Sequence, residues 1–232
     1  MANYTRPLAQ FPPPQTQDPR IPYLHDADHV EHDLWDDGHR LWGFVIYRCT
    51  YESDSAWTEF MNRLLASTEE MFDWETDLEV LDRLALTVFE DSGMFNGAST
   101  AVVREHFNRW AVDAVQKEQG TVQGQGQVHP GSQRYRYCIQ VTQDVLDSVL
   151  AGDYERNGFV RVIRADWEVY EPYDHGERIE EEEEPLEGCT LEDVGWVKVQ
   201  FDGMMFIAWG YLRSDWAWGV GYRRPPKIAH FF

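Results

Sequence analysis

The sequence predicts an α+β protein in which a mixed or antiparallel sheet carries its helices on one face. The first observation behind this prediction is the stretch 41–57, where a run rich in β-branched and aromatic residues turns over Glu52 and Ser53 into a helix capped by Asp54 or Ser55. The second is the helical periodicity of two later stretches. The third is the element order of the second half, β-α-β-β-α-β, which is that of a ferredoxin-like unit.

The two periodic stretches are amphipathic helices by the spacing of their apolar side chains. Residues 55–72 carry apolar side chains at i, i+3, i+4 and i+7, with charged residues between them. A second helix, with Ser99 or Thr100 as its predicted N-cap, repeats the pattern as far as Val115. Each helix can therefore bury one face against the sheet.

The other strands are predicted from short β-branched and aromatic runs that turn residues interrupt. They are residues 84–89, 134–141, 159–165, 194–201 and 216–222. Two short helices, capped by Thr142 and by Asp202, connect the later strands. Pro225 and Pro226 end the last strand, because proline cannot donate to a sheet ladder. Residues 41–226 therefore form a single domain, and the alternative is two small similar lobes.

Four segments fall outside this regular pattern. Residues 1–40 are predicted to be a flexible Pro-rich arm followed by a His- and Asp-rich lead-in that lies on the surface. Residues 117–133, rich in Gln and Gly, are predicted to be a mobile linker, where the two lobes of the alternative would divide. Residues 168–190 form an acidic loop, because the adjacent glutamates 180–184 repel one another. Residues 227–232 are predicted to be a tail.

Composition and charge exclude several classes of function. A formal net charge of −21 repels the phosphates of nucleic acids and anionic membranes. No apolar run reaches the ~18 residues that a membrane span needs. The three cysteines, Cys49, Cys138 and Cys189, are odd in number and far apart, which indicates reduced thiols rather than a disulfide framework. We therefore expect a cytoplasmic protein that binds neither nucleic acid nor membrane.

Several motifs resemble a family of filamentous-fungal, ascomycete-type proteins. The first is the opening motif W-G-F-x-x-Y-R-x-T-Y of residues 42–51, and later ones lie at residues 103–107, 134–138, 188–196 and 222–226. The resemblance covers most of the chain from Trp42 onward. It implies a fungal, intracellular protein, and the family has no established activity that could be carried over. The presence of some relatives in secondary-metabolite gene clusters would favour an accessory biosynthetic role.

The junction of the first strand and the first helix is the candidate ligand site. Side chains at a strand end and the amides of a helix N-terminus can converge there on a carboxylate or phosphate. The ligand-binding candidates are Arg48, Tyr51, Asp54, Trp57, Arg104 and Trp110. In an enzyme, His106 would act as general base and Arg48 would orient an oxyanion. In the alternative interpretation, Arg48 pairs with Asp54, and His106 is a packed residue on an apolar face.

Metal and cofactor sites have weaker support in the sequence. His25, His29 and His32 would share one face of a helix, a spacing at which imidazoles can bind one metal ion. The pattern matches no zinc signature, and a solvated lead-in to the first strand is the favoured alternative. The sequence contains no P-loop and no Gly-x-Gly-x-x-Gly after a strand, so no cofactor is expected.

Two functions remain open. The first is an intracellular binding protein that engages a protein partner, or a second copy as a homodimer, through the aromatic residues 209–222 and the acidic loop. In the alternative, those aromatic residues pack in the core. The second is a cofactor-independent enzyme or accessory protein that acts on a small metabolite in fungal secondary metabolism. An enzyme should enclose a pocket reached by both Arg48 and His106, whereas an interaction protein should have that region filled and an apolar patch outside. The first is favoured, because no titratable pair has a recognisable catalytic spacing.

Overall fold

The protein has an α+β fold built on a seven-stranded mixed sheet. The structure is a computed structural model, and it describes residues 2–3, 26–71, 78–119, 132–168, 183–214 and 216–229. Within those residues the strand order is β1-β3-β2-β4-β5-β6-β7. The strands are β1 (Ala2–Asn3), β2 (Val45–Arg48), β3 (Thr87–Phe89), β4 (Tyr137–Val141), β5 (Phe159–Arg164), β6 (Trp196–Gln200) and β7 (Ile228–Ala229).

The helices alternate with the strands along most of the chain. They are α1 (Asp26–Asp37), α2 (Asp54–Glu70), α3 (Leu78–Asp82), α4 (Ser92–Phe95), α5 (Thr100–Gln119), α6 (Gln133–Arg136), α7 (Gln143–Leu150), α8 (Tyr154–Asn157), a π-helical turn (Met204–Ala208) that continues into α9 (Trp209–Tyr211), and α10 (Ala217–Gly221). The N-cap of α2 is Ser53, whose hydroxyl accepts a hydrogen bond from the backbone N–H of Ala56 at 3.1 Å. The start predicted for α5 at Ser99 or Thr100 is confirmed.

The centre of the sheet is parallel and its second half is antiparallel. β2 pairs in parallel with β3 on one side and with β4 on the other. β4, β5 and β6 then run antiparallel to one another, and β7 adds in parallel to β6. The carboxyl ends of β3, β2 and β4 therefore meet at one edge of the sheet, which we call the carboxyl edge.

Helices cover both faces of the sheet, so the prediction that they lie on one face is wrong. α1, α2, α3, α7 and the π-helical turn bury their apolar side chains on the face that Ile46 and Ile139 occupy. α4 and α5 pack on the opposite face, with Val45 and Tyr47. The strand order gives the reason. Right-handed crossovers from β2 to β3 and from β3 back past β2 to β4 run in opposite directions and must use opposite faces.

A ferredoxin-like second half is not confirmed. A split β-α-β unit keeps another strand between the two strands that its helix connects. Here α7 connects β4 to β5, and these two strands are adjacent and antiparallel. The order of β4, β5, β6 and β7 in the sheet is simply their order in the chain.

The C-terminal region differs from the prediction in two places. Residues 216–222 do not form a strand, because they enter the helical turn α10, which buries Ala217, Trp218 and Gly221. These three residues have the i, i+1, i+4 spacing of one helix face. Residues 228–229 do not belong to a tail, because Ile228 pairs with Lys198 of β6 and Ala229 is buried.

The segments predicted to lie outside the domain are partly built into it. The His- and Asp-rich lead-in forms α1, which lies on the surface but buries Val30 and Leu34 in the core. Of the predicted linker, residues 117–119 continue α5, and Ser132 and Gln133 are buried; residues 120–131 lie outside the described part of the chain. Residues 4–25 of the arm and 169–182 of the acidic loop also lie outside it.

Candidate functional site

The candidate residues, apart from Arg104, lie at the carboxyl edge, where β2 and β3 end side by side. The chain leaves β2 toward α2 on one face and leaves β3 toward α4 and α5 on the other. Such a change of direction opens a crevice beyond the strand ends, and ligands of open α/β sheets bind there. The strand ends therefore place the predicted residues where a ligand site is expected.

Arg48 occupies the α2 face of this edge. Its guanidinium is buried between two aromatic rings, 4.4 Å from the centroid of Tyr51 and 5.3 Å from that of Trp57. The Nε atom donates to the backbone oxygen of Thr50 at 3.0 Å, and Nη2 pairs with the exposed carboxylate of Asp54. Arg48 thus contacts three of the other predicted ligand-binding residues, Tyr51, Asp54 and Trp57. Its pairing with Asp54 is the one that the alternative interpretation predicts.

The Tyr51 hydroxyl differs from the other polar groups of this cluster in its hydrogen bonding. Its hydroxyl is buried and has no hydrogen-bond partner among the described residues. Burial raises the pKa of Tyr51 to about 12, against the opposing effect of the Arg48 cation. The phenol is therefore a protonated donor beside a cation at neutral pH.

His106 occupies the opposite face of the same edge. Its ring lies edge-on to three aromatic rings, with centroid distances of 4.6 Å to Phe89, 5.1 Å to Phe95 and 5.6 Å to Tyr47. The Nδ1 atom is 2.9 Å from the hydroxyl oxygen of Tyr47. A strand with a two-residue period puts Tyr47 and Arg48 on opposite faces, so the helix residue that reaches Tyr47 cannot reach Arg48.

The Tyr47 hydroxyl fixes which nitrogen of His106 carries the proton. Tyr47 is fully buried, and burial raises its pKa, so the phenol keeps its proton. Among the described residues its hydroxyl has one hydrogen-bond partner, Nδ1 of His106. Because a buried donor without an acceptor is costly, the O–H donates to Nδ1 and the imidazole proton lies on Nε2. His106 therefore presents a donor rather than a general base.

The structure does not bring Arg48 and His106 into one pocket. Arg48 contacts the aromatic residues of the α2 face, and His106 contacts those of the α5 face. The sheet itself, closed by the buried side chains of Ile46 and Tyr47, separates them. A mechanism in which Arg48 orients an oxyanion for a base at His106 has no support in this geometry.

Arg104 and Trp110 have other surroundings. Arg104 joins α5 to the sheet by donating to the backbone oxygens of Arg164 at 2.9 Å and Gly195 at 2.8 Å. Burial lowers its pKa. Trp110 is half-buried beside Phe89, with ring centroids 6.2 Å apart. Of the two, Trp110 belongs to the His106 side of the site, and Arg104 has a structural role.

Sequence reasoning did not single out Tyr47 and Phe89 as site residues. The alternation of β2 was a signal that Tyr47 and Arg48 serve different faces. The pairing of Phe89 with Tyr47 across β2 and β3 depends on strand register, which the sequence pattern does not reveal.

Replacing Arg109 by glutamine is expected to raise the pKa of His106. Burial and the Arg109 charge together hold that pKa below its ordinary value of 6.5. The folded protein thus binds this proton less tightly than the unfolded chain, so stability is lost as the pH falls below 6.5 toward the folded value. An NMR titration of the His106 ring measures the change.

The matched control is Lys117→Gln, which removes one cation from the same helix. Lys117 pairs with Asp113 at 3.3 Å and lies about two turns beyond Arg109. It should leave the His106 titration unchanged. Equal shifts in the two variants would assign the effect to net charge rather than to the Arg109 guanidinium.

The predicted metal ligands are only partly described. His29 and His32 lie on α1, while His25 lies outside the described residues. Within the described chain, no group of three or more His, Cys, Asp or Glu side chains is placed to hold a metal ion. The cysteines are free, and burial raises the pKa of Cys49 to about 12, so its thiol is a poor nucleophile.

The C-terminal aromatic residues divide between core and surface. Trp209 and Trp218 are buried, but the Trp216 side chain is 63% exposed. Val220, one helical turn further on, is 59% exposed. Trp216 also contacts the ring of Tyr211 at 6.0 Å, and the Arg223 guanidinium donates to the backbone oxygen of Val220 at 3.1 Å. We call Tyr211, Trp216, Val220 and Arg223 the Trp216 surface.

Comparison with other proteins adds no assignment to this geometry. No helix in the described residues combines the length and apolar character needed to cross a bilayer. Searches against protein-family models, curated proteins and solved structures each find no match for this chain.

Proposed function

We propose that the protein is a binding protein that engages a protein partner through the Trp216 surface. The observation that carries this proposal is the exposure of Trp216 and Val220 side by side on one helical turn. Tryptophan side chains supply much of the binding energy at protein interfaces when a pocket on the partner takes them up. Large apolar residues exposed together are uncommon on a protein surface that has no partner.

The separation of Arg48 from His106 at the carboxyl edge supports the same function. Arg48 is packed between Tyr51 and Trp57, and His106 is packed among Tyr47, Phe89 and Phe95. An enzyme of the kind considered from the sequence needs both residues in one pocket. The separation of Arg48 from His106 therefore favours the binding protein over that enzyme.

The local charge indicates the chemistry of the partner. The Arg223 guanidinium stands at the rim of the Trp216 surface, in a chain whose net charge is −21. An apolar pocket bordered by carboxylates complements this arrangement. A second copy of the chain is disfavoured, because it would bring a further net charge of −21, whereas the proposed partner needs carboxylates only at the border of its pocket. We further propose an intracellular location, which the free cysteines Cys49, Cys138 and Cys189 support.

Selection from a phage-displayed library of random peptides on the immobilised protein tests this proposal. The selected peptides are expected to combine apolar residues with Asp or Glu. Trp216→Ala should weaken their binding about 30-fold, as expected when a hot spot worth ~2 kcal/mol is removed. Arg223→Gln should reduce the preference for acidic peptides without abolishing binding.

Val112→Ala is the matched control, because Val112 is also an exposed apolar residue, 80% exposed on α5. It should not affect peptide binding. Peptides that bind Trp216→Ala as well as the native chain would contradict the proposed surface. Sedimentation at several protein concentrations tests whether the partner is a second copy of the chain. A dimer that Trp216→Ala abolishes would show that the surface binds a second copy and not another protein.

A further inference from the structure

We propose that His106 and the aromatic side chains around it bind a small, flat aromatic compound through a carbonyl or carboxylate oxygen. The site consists of His106, Phe89, Trp110 and Arg109, with Tyr47 beneath it. It shares no residue with the Trp216 surface, so it is a second binding function, independent of the proposed one.

The apolar part of the site is made by half-buried rings. Phe89 and Trp110 are both partly open to solvent and meet edge-to-face at 6.2 Å. The His106 ring lies 4.6 Å from Phe89 on the same side. Phe89 stacks on Tyr47, and Trp110 stacks on Phe107 and Tyr135. The parts of the two rings that still reach solvent offer edge contacts to another aromatic ring. A flat ligand would cover apolar area that the folded chain leaves exposed.

The polar part of the site is a single oriented donor. The Tyr47 hydroxyl oxygen lies 2.9 Å from Nδ1 of His106. With the buried phenol O–H as the donor, Nδ1 accepts and the imidazole proton lies on Nε2. Nε2 makes no hydrogen bond within the described residues, and it is not among their enclosed unpaired atoms. An N–H that is not fully enclosed and is held in one tautomer selects a hydrogen-bond acceptor and rejects another donor.

Charge around the donor admits both a neutral and an anionic oxygen. The Arg109 guanidinium is close enough to lower the pKa of His106, and it would attract a carboxylate. Glu105 shares that guanidinium at 3.8 Å, and the net charge of −21 acts against any anion. Both the neutral and the anionic ligand therefore need an acceptor oxygen attached to an aromatic ring. The test distinguishes binding of an amide from binding of a carboxylate.

The position of the site in the sheet agrees with a binding role. Tyr47 and Phe89 are paired residues at the carboxyl ends of β2 and β3. These are the strands from which the chain departs to opposite faces. A ligand-binding crevice in an open sheet is expected at such a point.

The test uses the full chain labelled with ¹⁵N in its histidines. Benzamide and benzoate are the probes, and benzylamine, which carries a donor but no acceptor oxygen, is the control. We expect the free protein to show a proton on Nε2 of His106 and none on Nδ1. At least one of the two oxygen probes should shift the Nε2 resonance in a saturable way, and benzylamine should not. The stronger of the two probes identifies the neutral or the anionic ligand.

A pair of variants separates binding from folding. His106→Phe keeps a flat ring but removes the donor, and it leaves the Tyr47 hydroxyl unpaired. The double variant Tyr47→Phe with His106→Phe removes both partners and should fold about as stably as the native chain. Ligand-observed NMR should show probe binding about three- to tenfold weaker in both variants, because one hydrogen bond is lost.

Two results would overturn the proposal. One is a proton on Nδ1 in the free protein, which would turn the donor into an acceptor. The other is a lack of selectivity in the probe affinities. Either each probe binds the native chain and the double variant equally well, or benzamide, benzoate and benzylamine all bind the native chain equally well. Neither result bears on the Trp216 surface, so this proposal and the proposed function fail separately.

Discussion

Replacement of Arg134 by methionine is expected to lower the free energy of unfolding by about 3–5 kcal/mol. Arg134 is fully buried, and each of its five N–H groups has an acceptor. Nε and Nη2 bind both carboxylate oxygens of Glu118 at 2.7 and 2.8 Å. Nη1 donates to the backbone oxygens of Gly43 and Ala85 at 2.8 and 2.6 Å. Methionine fills similar space but leaves a carboxylate and two carbonyls without their donor.

The contribution of Arg134 is large because it joins three parts of the chain. Glu118 lies at the end of α5, Gly43 precedes β2, and Ala85 precedes β3. Tyr135 adds a hydrogen bond to Glu118 at 3.0 Å, so the network continues on the other side of the carboxylate. Removing one member of such a network leaves the others buried and unpaired, which costs more than a single exposed pair contributes.

Urea denaturation measures the loss, and Lys117→Met is the matched control. Lys117 also pairs with an acidic residue of α5, Asp113, but both side chains are exposed. Its removal should change the free energy of unfolding by no more than about 0.5 kcal/mol. A similarly small effect at Arg134 would show that water or a neighbouring side chain replaces the guanidinium. If Arg134→Met does not fold at all, Glu118→Gln should still show a loss well above that of the control.

Replacement of Gly195 by alanine is expected to lower the free energy of unfolding by about 3 kcal/mol. Gly195 has a φ of +71°, where a Cβ is unfavourable. A Cβ at this position would also lie 2.3 Å from Cδ2 of Trp167 and 2.6 Å from Nη2 of Arg104. Arg104 donates to the Gly195 carbonyl, so the clash would also disturb the link between α5 and the sheet.

Gly97→Ala separates the backbone effect from the clash. Gly97 has almost the same φ, +69°, but a Cβ added there would meet nothing within 4 Å. Gly97→Ala should lower the free energy of unfolding only by the cost of the unfavourable backbone conformation, about 1 kcal/mol. Thermal or urea unfolding of the two variants gives the difference. If both variants lose the same free energy of unfolding, Trp167 moves aside without cost. The contact of the Arg104 guanidinium with the Trp167 ring, at 4.7 Å, would then not be stabilising.

Elements with a strong local pattern were predicted well. The periodicity of residues 55–72 gave a helix, and the structure has α2 at Asp54–Glu70. Thr142 was predicted as the N-cap of a short helix, and α7 begins at Gln143. The apolar spacing agrees in both cases, and so does the N-cap of α7, whereas the N-cap of α2 is Ser53 and not the predicted Asp54 or Ser55. Local preference and tertiary packing favour the same two helices.

The C-terminal residues were predicted poorly because their local pattern is ambiguous. Residues 216–222 alternate between large and small side chains, which is typical of a strand. The structure forms α10 there, and the burial of Trp218 against the ring of Tyr137, at 5.8 Å, fixes the helical turn. The same turn exposes Trp216 and Val220, so the sequence located the aromatic segment but not which of its side chains face solvent.

The sequence alone determined the α+β class, the two long helices and the grouping of Arg48 with Tyr51, Asp54 and Trp57, because these depend on residues close together in the chain. The tertiary structure decided that His106 belongs to Tyr47 and Phe89 instead of Arg48. That outcome depends on the order of β3, β2 and β4, which sends α2 and α5 to opposite faces. Strand order is set by the packing of the whole sheet, and no stretch of residues encodes it locally.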